Sequence, residues 1–290
     1  MFVDSAIDVA GEIDEAFAFD IIDINNEWTD HYDNYGRRIT GRHMDNFFLD
    51  IPGCTATLSA NAGLSMTIGG AKIWIDALNE TKVNAFSTVT PKIRKMMQNR
   101  NAFRDPDAIV FTHCHPDHFS QELTGEAIRK WTRAELILPE SRFEKQTLVE
   151  GDVFRTRIDD AELCMIKTIH EGEAYREVPN YAAVISDGSM NVLITADTEV
   201  GSESLKGQLE AAGFDRIDIM FVDFPWVTLK RGRDVIDGVL KPEHLFIYHL
   251  PFEEDDTEGF RKAAAKGAEM LESPRDIRLF LEPLQTEAVR

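Results

Sequence analysis

Ten residues, Phe111-Thr112-His113-Cys114-His115-Pro116-Asp117-His118-Phe119-Ser120, constrain this chain more than any other stretch. Three imidazoles and a carboxylate fall within six positions, a density of metal-binding groups that packing alone does not call for. Just before them, Asp107 to Thr112 reads as a short buried strand. Just after them, Leu123, Ala127, Ile128 and Trp131 mark the apolar face of a helix. The fold must therefore present a donor-rich corner between a strand and a helix.

The surrounding pattern is α/β. Gly63 to Ile68 and Ala71 to Ile75 read as a hairpin about Gly69-Gly70, ending at Asp76. Thr90-Pro91 opens a helix through Ile93, Met96 and Met97, and Leu136 to Leu138 is a further strand. Leu163 to Ile169 forms a strand that ends at His170. Tyr181 to Ser186 and Met190 to Ala196 pair about Asp187-Gly188 and end at Asp197. A helix over Ser202 to Ala212, with Gly213 just past its end, leads to a strand over Ile217 to Val222 that ends at Asp223. Helices are expected near 231–240 and 257–271, and strands at Leu245 to Tyr248, ending at His249, and at Ile277 to Leu281. Asp76, His113, His170, Asp197, Asp223 and His249 thus all stand just past strand ends, where loops converge on a rigid scaffold.

Residues 1–46 lack this regularity and read as an acidic N-terminal extension, a structural arm in the first instance and a lid or oligomer contact in the second. The regular domain spans 47–290. The chain carries 31 Lys and Arg against 51 Asp and Glu, a formal charge of −20. Half of that comes from residues 1–36, which hold ten carboxylates and no Lys or Arg. Such a balance repels polyanions, which argues against a nucleic-acid partner. No apolar run of 18 residues is present, so no membrane span is expected. No basic leader segment is seen, and three cysteines (Cys54, Cys114, Cys164) do not make a disulfide framework, so a cytoplasmic location is expected. Nothing in the pattern specifies an oligomeric state.

The local motif alone makes two half-filled metal sites. His113 and His115, two apart in an extended segment, fall on one side and could chelate one ion. Asp117 and His118 could hold a second. Each half-site needs distant ligands. Eight histidines are available in all. Outside the cluster, only His170 and His249 directly follow strongly apolar strands. His244 precedes its strand and should lie at the opposite end, while His31 and His43 fall in the extension.

The set of residues resembles that of the metallo-β-lactamase superfamily: a His-x-His-x-Asp-His motif, then a lone His, an Asp and a final His, each at a strand end. His113, His115, Asp117, His118, His170, Asp197 and His249 match in type and order. The segment Leu193 to Thr198 resembles the one around the family's bridging aspartate. The resemblance covers about residues 47–290. It implies a four-layer αβ/βα sandwich and two divalent metal ions, zinc in the first place, with manganese or iron as alternatives. One ion would be held by His113, His115 and His170, and the other by Asp117, His118 and His249, with Asp197 between them. A metal-bound hydroxide, formed near neutral pH, would then attack a small-molecule ester, lactone or phosphodiester. Asp117 and Asp197 are the catalytic residues by this reading. Asp117 would orient the nucleophile or move its proton, and Asp76 would support a ligand histidine.

Simpler roles stand beside these. Asp76 and Asp223 could cap loops, and Cys114 should point away from the ligands that flank it. Trp226, Tyr175, Tyr181 and Arg176 are expected on site-side loops, either packed there or touching substrate. Exported β-lactamases generally lack the aspartate that Asp197 supplies. Flavin-linked diiron reductases carry a flavodoxin domain, nucleic-acid-processing members carry basic surfaces, and glyoxalase-II-like thioesterases carry a basic cluster, none of which is seen here. Small-substrate hydrolases similar to ascorbate-6-phosphate lactonases remain. The two alternatives are an iron-dependent oxidoreductase on the same fold and a non-catalytic metal-stabilised binding module.

Overall fold

A computed structural model describes residues 53–289, and the extension, with His31 and His43, lies outside the described residues. Among the described residues, fourteen strands, numbered in chain order, form two seven-stranded mixed sheets, ordered β14-β1-β2-β3-β4-β5-β6 and β13-β12-β11-β10-β9-β8-β7. In the first sheet, β1 (Cys54–Leu58), β2 (Leu64–Ile68) and β3 (Ala71–Ile75) form an antiparallel meander, with β14 (Thr286–Val289) on its edge. Then β4 (Ala108–Val110), β5 (Glu135–Leu138) and β6 (Thr147–Leu148) continue it in parallel. The second sheet runs antiparallel through β7 (Val153–Ile158), β8 (Ala161–Thr168), β9 (Asn180–Ser186) and β10 (Asn191–Ile194). It continues in parallel through β11 (Ile219–Asp223), β12 (His244–Tyr248) and β13 (Asp276–Leu279).

Strand alternation builds the layers. Along β8, Leu163 and Met165 join the core between the sheets, whereas Cys164 and Ile166 pack outward in a second core. The same split separates Phe221 from Met220 and Val222 on β11, and Phe246 and Tyr248 from Leu245 and Ile247 on β12. Both faces of these strands are buried, which is why they read as continuous apolar runs. Helices α1 (Pro91–Gln98) and α2 (Gln121–Lys130) bury Ile93, Met97, Leu123 and Ala127 in the core of the first sheet. Helices α3 (Ser204–Ala211), α4 (Pro225–Thr228), α5 (Lys230–Val235) and α6 (Phe260–Ala268) bury Leu205, Leu209, Trp226, Val227, Val235 and Ala264 in the outer core of the second. The expected four-layer αβ/βα arrangement is the observed one.

Local chemistry sets the element ends. Thr90 caps α1 by accepting a hydrogen bond from the Ile93 N–H, with Pro91 at the first helical position. Ser120 caps α2 in the same way through the Leu123 N–H, so the helix starts directly after the histidine cluster. Gly213, just past α3, has φ +84°, the left-handed conformation of a helix terminus. The helix expected near 231–240 is α5 followed by one π-helical turn, Ile236–Leu240, which ends at Lys241 in the left-handed region.

Candidate metal centre

Every strand that carries a candidate ligand into the site runs toward the same end of the molecule. In the first sheet, β3 and β4 are parallel. In the second, β10, β11 and β12 are parallel, and β8 shares their direction because β9 opposes both β8 and β10. At that end the sheets are tied together. The Tyr181 N–H donates to the Thr112 carbonyl, the His249 N–H donates to the Asn61 carbonyl, and the Asn61 amide donates to the Asp117 carbonyl. The backbone turns sharply where ligands leave their strands. Asp76, Ala196 (just before Asp197) and His249 have φ of 50°, 49° and 57°, a left-handed conformation that non-glycine residues adopt at a cost. Gly63 lies where a Cβ would come within 2.7 Å of the Ala77 Cα, so only glycine lets the Ser59–Gly63 turn pack beneath Asp76.

The seven expected site residues come together in two groups. Ligand atoms of His113, His115, His170 and Asp197 lie within 4.8 Å of one another, and so do those of Asp117, His118 and His249. The Asp197 carboxylate spans both. Its Oδ1 is 3.2 Å from His118 Nε2 and 3.6 Å from His249 Nε2. Its Oδ2 is 3.4 Å from His170 Nε2 and 3.7 Å from His113 Nε2. Between rings, His170 Nε2 is 3.1 Å from His115 Nδ1, and His118 Nε2 is 3.0 Å from His249 Nε2.

Hydrogen bonds behind the rings set which nitrogen faces inward. The buried Asp76 carboxylate accepts from the Thr112 N–H (2.8 Å) and hydroxyl (2.6 Å), and lies 3.0 Å from His118 Nδ1. His118 Nδ1 therefore carries a proton and Nε2 faces the site. The Thr112 hydroxyl, having spent its hydrogen on Asp76, accepts from His113 Nδ1 at 3.1 Å. His170 Nδ1 faces the Glu171 carbonyl at 2.7 Å, which can only accept. Three imidazoles thus have Nδ1 committed to an outer partner and Nε2 turned toward one another and Asp197, and neutral His is the form that ligates metals.

This donor set fits a pair of divalent ions. Buried polar atoms are ordinarily hydrogen-bonded, yet His113 Nε2 and Asp197 Oδ1 are buried without a hydrogen-bond partner. A tetrahedral ion with ligands at about 2.0–2.1 Å needs ligand edges of about 3.3 Å, close to the separations above. Electrostatics agree. Burial and the neighbouring His118 hold His113 well below the usual imidazole range, and burial with His170 lowers His115. Burial also lowers His249, against the opposing charge of Asp197. At His118 burial acts downward, but Asp197, Asp76 and Asp117 outweigh it and hold the ring well above its ordinary value. Burial acts upward on Asp197, and His118 and His249 more than offset it, keeping the carboxylate ionised well below its usual range. A carboxylate field that holds an extra proton on His118 also favours a bound cation, whose binding releases that proton.

No protein-family model matches the chain, and no curated protein matches it. Solved structures do. The metallo-β-lactamase fold protein YhfI from Bacillus subtilis superposes with a TM-score of 0.59 at 14% identity, over 82% of this chain and 99% of that one. Igni18, a metallo hydrolase from the archaeon Ignicoccus hospitalis, superposes with a TM-score of 0.53 at 17% identity, over 82% and 98%. The chain has the metallo-β-lactamase fold. CmlA, a diiron β-hydroxylase from Streptomyces venezuelae, shares it with a TM-score of 0.56 at 16% identity, over 87% of this chain and 58% of that larger one. Solved structures of this fold thus include a metallo hydrolase, Igni18, and a diiron hydroxylase, CmlA.

The remaining expectations around the site resolve differently from one another. Asp76 lies against His118 Nδ1, the support for a ligand histidine that the resemblance implied. His244 begins β12, at the far end, where its Nδ1 lies 3.4 Å from Asp276. Trp226 is not on a site-facing loop: it lies in α4 and is fully buried in the outer core, because Pro225 starts a helix there rather than breaking one. Tyr181 is also buried, within β9, its hydroxyl donating to the Gly151 carbonyl. Tyr175 does sit at the mouth, with its ring 5.1 Å from His115 and 5.3 Å from His170. Arg176 pairs with Glu173 and Glu199. Asp223 does not cap a loop. It is buried with Oδ1 unpartnered, and burial with the charges of Asp197 and Glu171 pushes its carboxyl well above the usual range. Cys114 packs against the core, its thiol pushed up to about 12 by burial and by Glu140. Thr112, Glu171 and Phe86 escaped sequence reasoning. Thr112 ends the strand entering the motif, and Glu171 follows a ligand, so position alone marked both. Phe86, an aromatic residue in a polar loop, had no motif.

Proposed function

We propose that this protein is a dinuclear metal-dependent hydrolase acting on a small ester, lactone or phosphodiester. The observation that carries the reading is the Asp197 carboxylate, with one oxygen toward His118 and His249 and the other toward His113 and His170. His113, His115 and His170 would hold one ion, and Asp117, His118 and His249 the other, with Asp197 shared. Zinc suits the histidine-rich set, and manganese or iron could occupy it. Bound there, such ions supply Lewis acidity and a water acidified to near neutral pH.

The chain's own residues do the rest. Asp76, Thr112 and the Glu171 carbonyl hold the rings in the tautomer that turns Nε2 inward. Asp117 is anchored through its backbone carbonyl by Asn61, with its Oδ2 3.7 Å from His249 Nε2. From there its carboxylate can orient a water and take up its proton. Asp197 and Asp117 offset part of the charge of the ions they would hold, and a neutral carbonyl substrate brings no charge of its own to be compensated. The net charge of −20 supports a small-molecule substrate over a nucleic acid. No helix among the described residues is long and apolar enough to cross a membrane, and a cytoplasmic location belongs to the same reading, as does a regular domain that begins near residue 47. Among known hydrolases the lactonase-like, small-substrate group fits best.

The fold shared with CmlA favours one second reading, an iron-dependent oxidoreductase using the same seven ligands. Metal analysis of freshly purified protein, with a panel of lactones, esters, thioesters and phosphodiesters, separates the two. Hydrolysis by the zinc-loaded protein supports the first reading. A visible-range iron chromophore with no hydrolysis of any panel member overturns it.

A further inference from the structure

Aromatic rings flank the outer ligands of both half-sites. On one side Phe86 and His249 meet edge to face, with ring centroids 4.5 Å apart and planes at 90°. Behind it Phe224 and Phe260 stack at 4.7 Å, each about 6.5 Å or less from Phe86. All three are only partly buried. On the other side Tyr175 rests against His115 and His170 while 49% exposed. Exposed aromatic surface is costly to leave wet, and here it stands at both ends of the ligand row.

Charge at the mouth points the same way. Among the described residues, four cations on the loops around the ligands are already paired. Lys82 is 2.5 Å from Asp255, Arg142 is 2.6 Å from Glu140, and Arg231 is 2.6 Å from Glu171, while Arg176 pairs with Glu173 and Glu199. An anionic substrate group would have to take one of these cations from its carboxylate or bind through the metal ions alone, inside a chain of net charge −20.

Building on the hydrolase reading, we propose that the substrate is an uncharged lactone or ester carrying an aryl or bulky alkyl group, held between Phe86 and Tyr175. Phosphodiesters and phosphorylated lactones are the disfavoured classes. The scissile carbonyl lies over the ligand row and the apolar substituent packs on an aromatic face. Hydrolysis is balanced by water alone: the acyl C–O bond breaks, water oxygen bonds to the acyl carbon, and one water proton passes to the departing oxygen.

The test uses the full-length, metal-loaded protein with three lactones of one ring: γ-phenyl-, γ-methyl- and γ-carboxy-γ-butyrolactone. Bis(4-nitrophenyl) phosphate is the anionic ester control. The expected kcat/KM order is phenyl over methyl over carboxy. In Phe86→Ala or Tyr175→Ala the phenyl-to-methyl ratio falls about tenfold, equivalent to about 1.4 kcal/mol, and Tyr175→Phe restores it. Binding of the lactam 5-phenyl-2-pyrrolidinone is followed in parallel by calorimetry. Turnover that favours the carboxylate or the phosphodiester overturns the substrate class while the hydrolase reading stands. Lactam binding that depends on Phe86 and Tyr175, without turnover of any lactone or of the phosphodiester, upholds the aromatic site and removes the hydrolase reading. Absence of both overturns both.

Discussion

Asp76→Asn isolates the residue that orients the centre without touching it. The substitution keeps shape, and Asn tolerates the left-handed φ of 50° at this position. The change is in hydrogen-bond polarity. Asp76 Oδ2 faces both the Thr112 hydroxyl and His118 Nδ1, while Oδ1 accepts the Thr112 N–H. If the Asn oxygen keeps the backbone N–H, its NH2 confronts the other two groups. His118 can then satisfy the amide only by moving its proton from Nδ1 to Nε2, which removes the lone pair from the half-site of Asp117, His118 and His249. Loss of such a supporting partner typically lowers metal affinity about 10- to 100-fold. Hydrogen bonds to a charged acceptor are worth about 1.5–3 kcal/mol each, so exchanging two of them, with partial repair, should cost the metal-free fold about 2–4 kcal/mol. The assay is zinc titration against a competing chelator, with denaturant unfolding of the metal-free protein and nitrogen NMR of the His118 tautomer. One tight ion instead of two, with Nε2 of His118 protonated, is expected. Two ions at unchanged affinity would refute the tautomer reasoning.

Four further outcomes follow from the same structure. In chelator-treated protein, His118 is raised on folding, so its contribution is complete below about pH 6.5 and disappears as pH rises through the elevated folded value; Asp197, depressed on folding, contributes above about pH 3.8 and loses this as pH falls through its folded value. Asp223 is raised, so the folded chain keeps a proton that the unfolded chain releases near pH 3.8, and its carboxyl costs stability increasingly above that pH; Asp223→Asn should gain on wild type between pH 5 and 8 in urea unfolding, and a constant difference would contradict this. His244→Ala should keep full metal content with a stability change below about 1 kcal/mol, because a part-exposed pair with Asp276 at the far strand end is all it loses; lost metal would mean that His249 is not the final ligand. Cys114, with a thiol near 12, holds about one thiolate in ten thousand at pH 8, so iodoacetamide should label it far more slowly than a free cysteine, as read by mass spectrometry of the 111–120 peptide.

The donor set was legible because each ligand follows an apolar strand, and strands sharing a direction deliver their ends to one place. His170 and His249 stood out by that position, and His244 was set aside by it. Strands at sheet edges were harder to see. β7 alternates Val153, Phe154, Arg155, Thr156, Arg157 and Ile158 with two arginines, and β14 is Thr286-Glu287-Ala288-Val289, so neither shows the buried run of β11 or β12. β1, Cys54-Thr55-Ala56-Thr57-Leu58, is built mostly from small residues and lies between β2 and β14, with Cys54, Ala56 and Leu58 in the core. Trp226 misled because Phe224-Pro225 resembles a turn, whereas Pro at a first helical position starts α4. The role of Thr112 depends on a hydroxyl already committed to Asp76, 36 residues earlier in the chain, a relation no local pattern encodes. The pairing of Phe86 with His249 likewise joins loops from different sheets.

The proposed paired-ion centre is tested most directly by the metal content of Asp197→Ala beside wild type, measured by plasma mass spectrometry on folded, zinc-reconstituted protein. Wild type should bind two ions per chain. The variant should bind at most one, remain folded by circular dichroism and lose most lactone or ester turnover. Two ions and a wild-type rate in Asp197→Ala would contradict the shared role of this carboxylate.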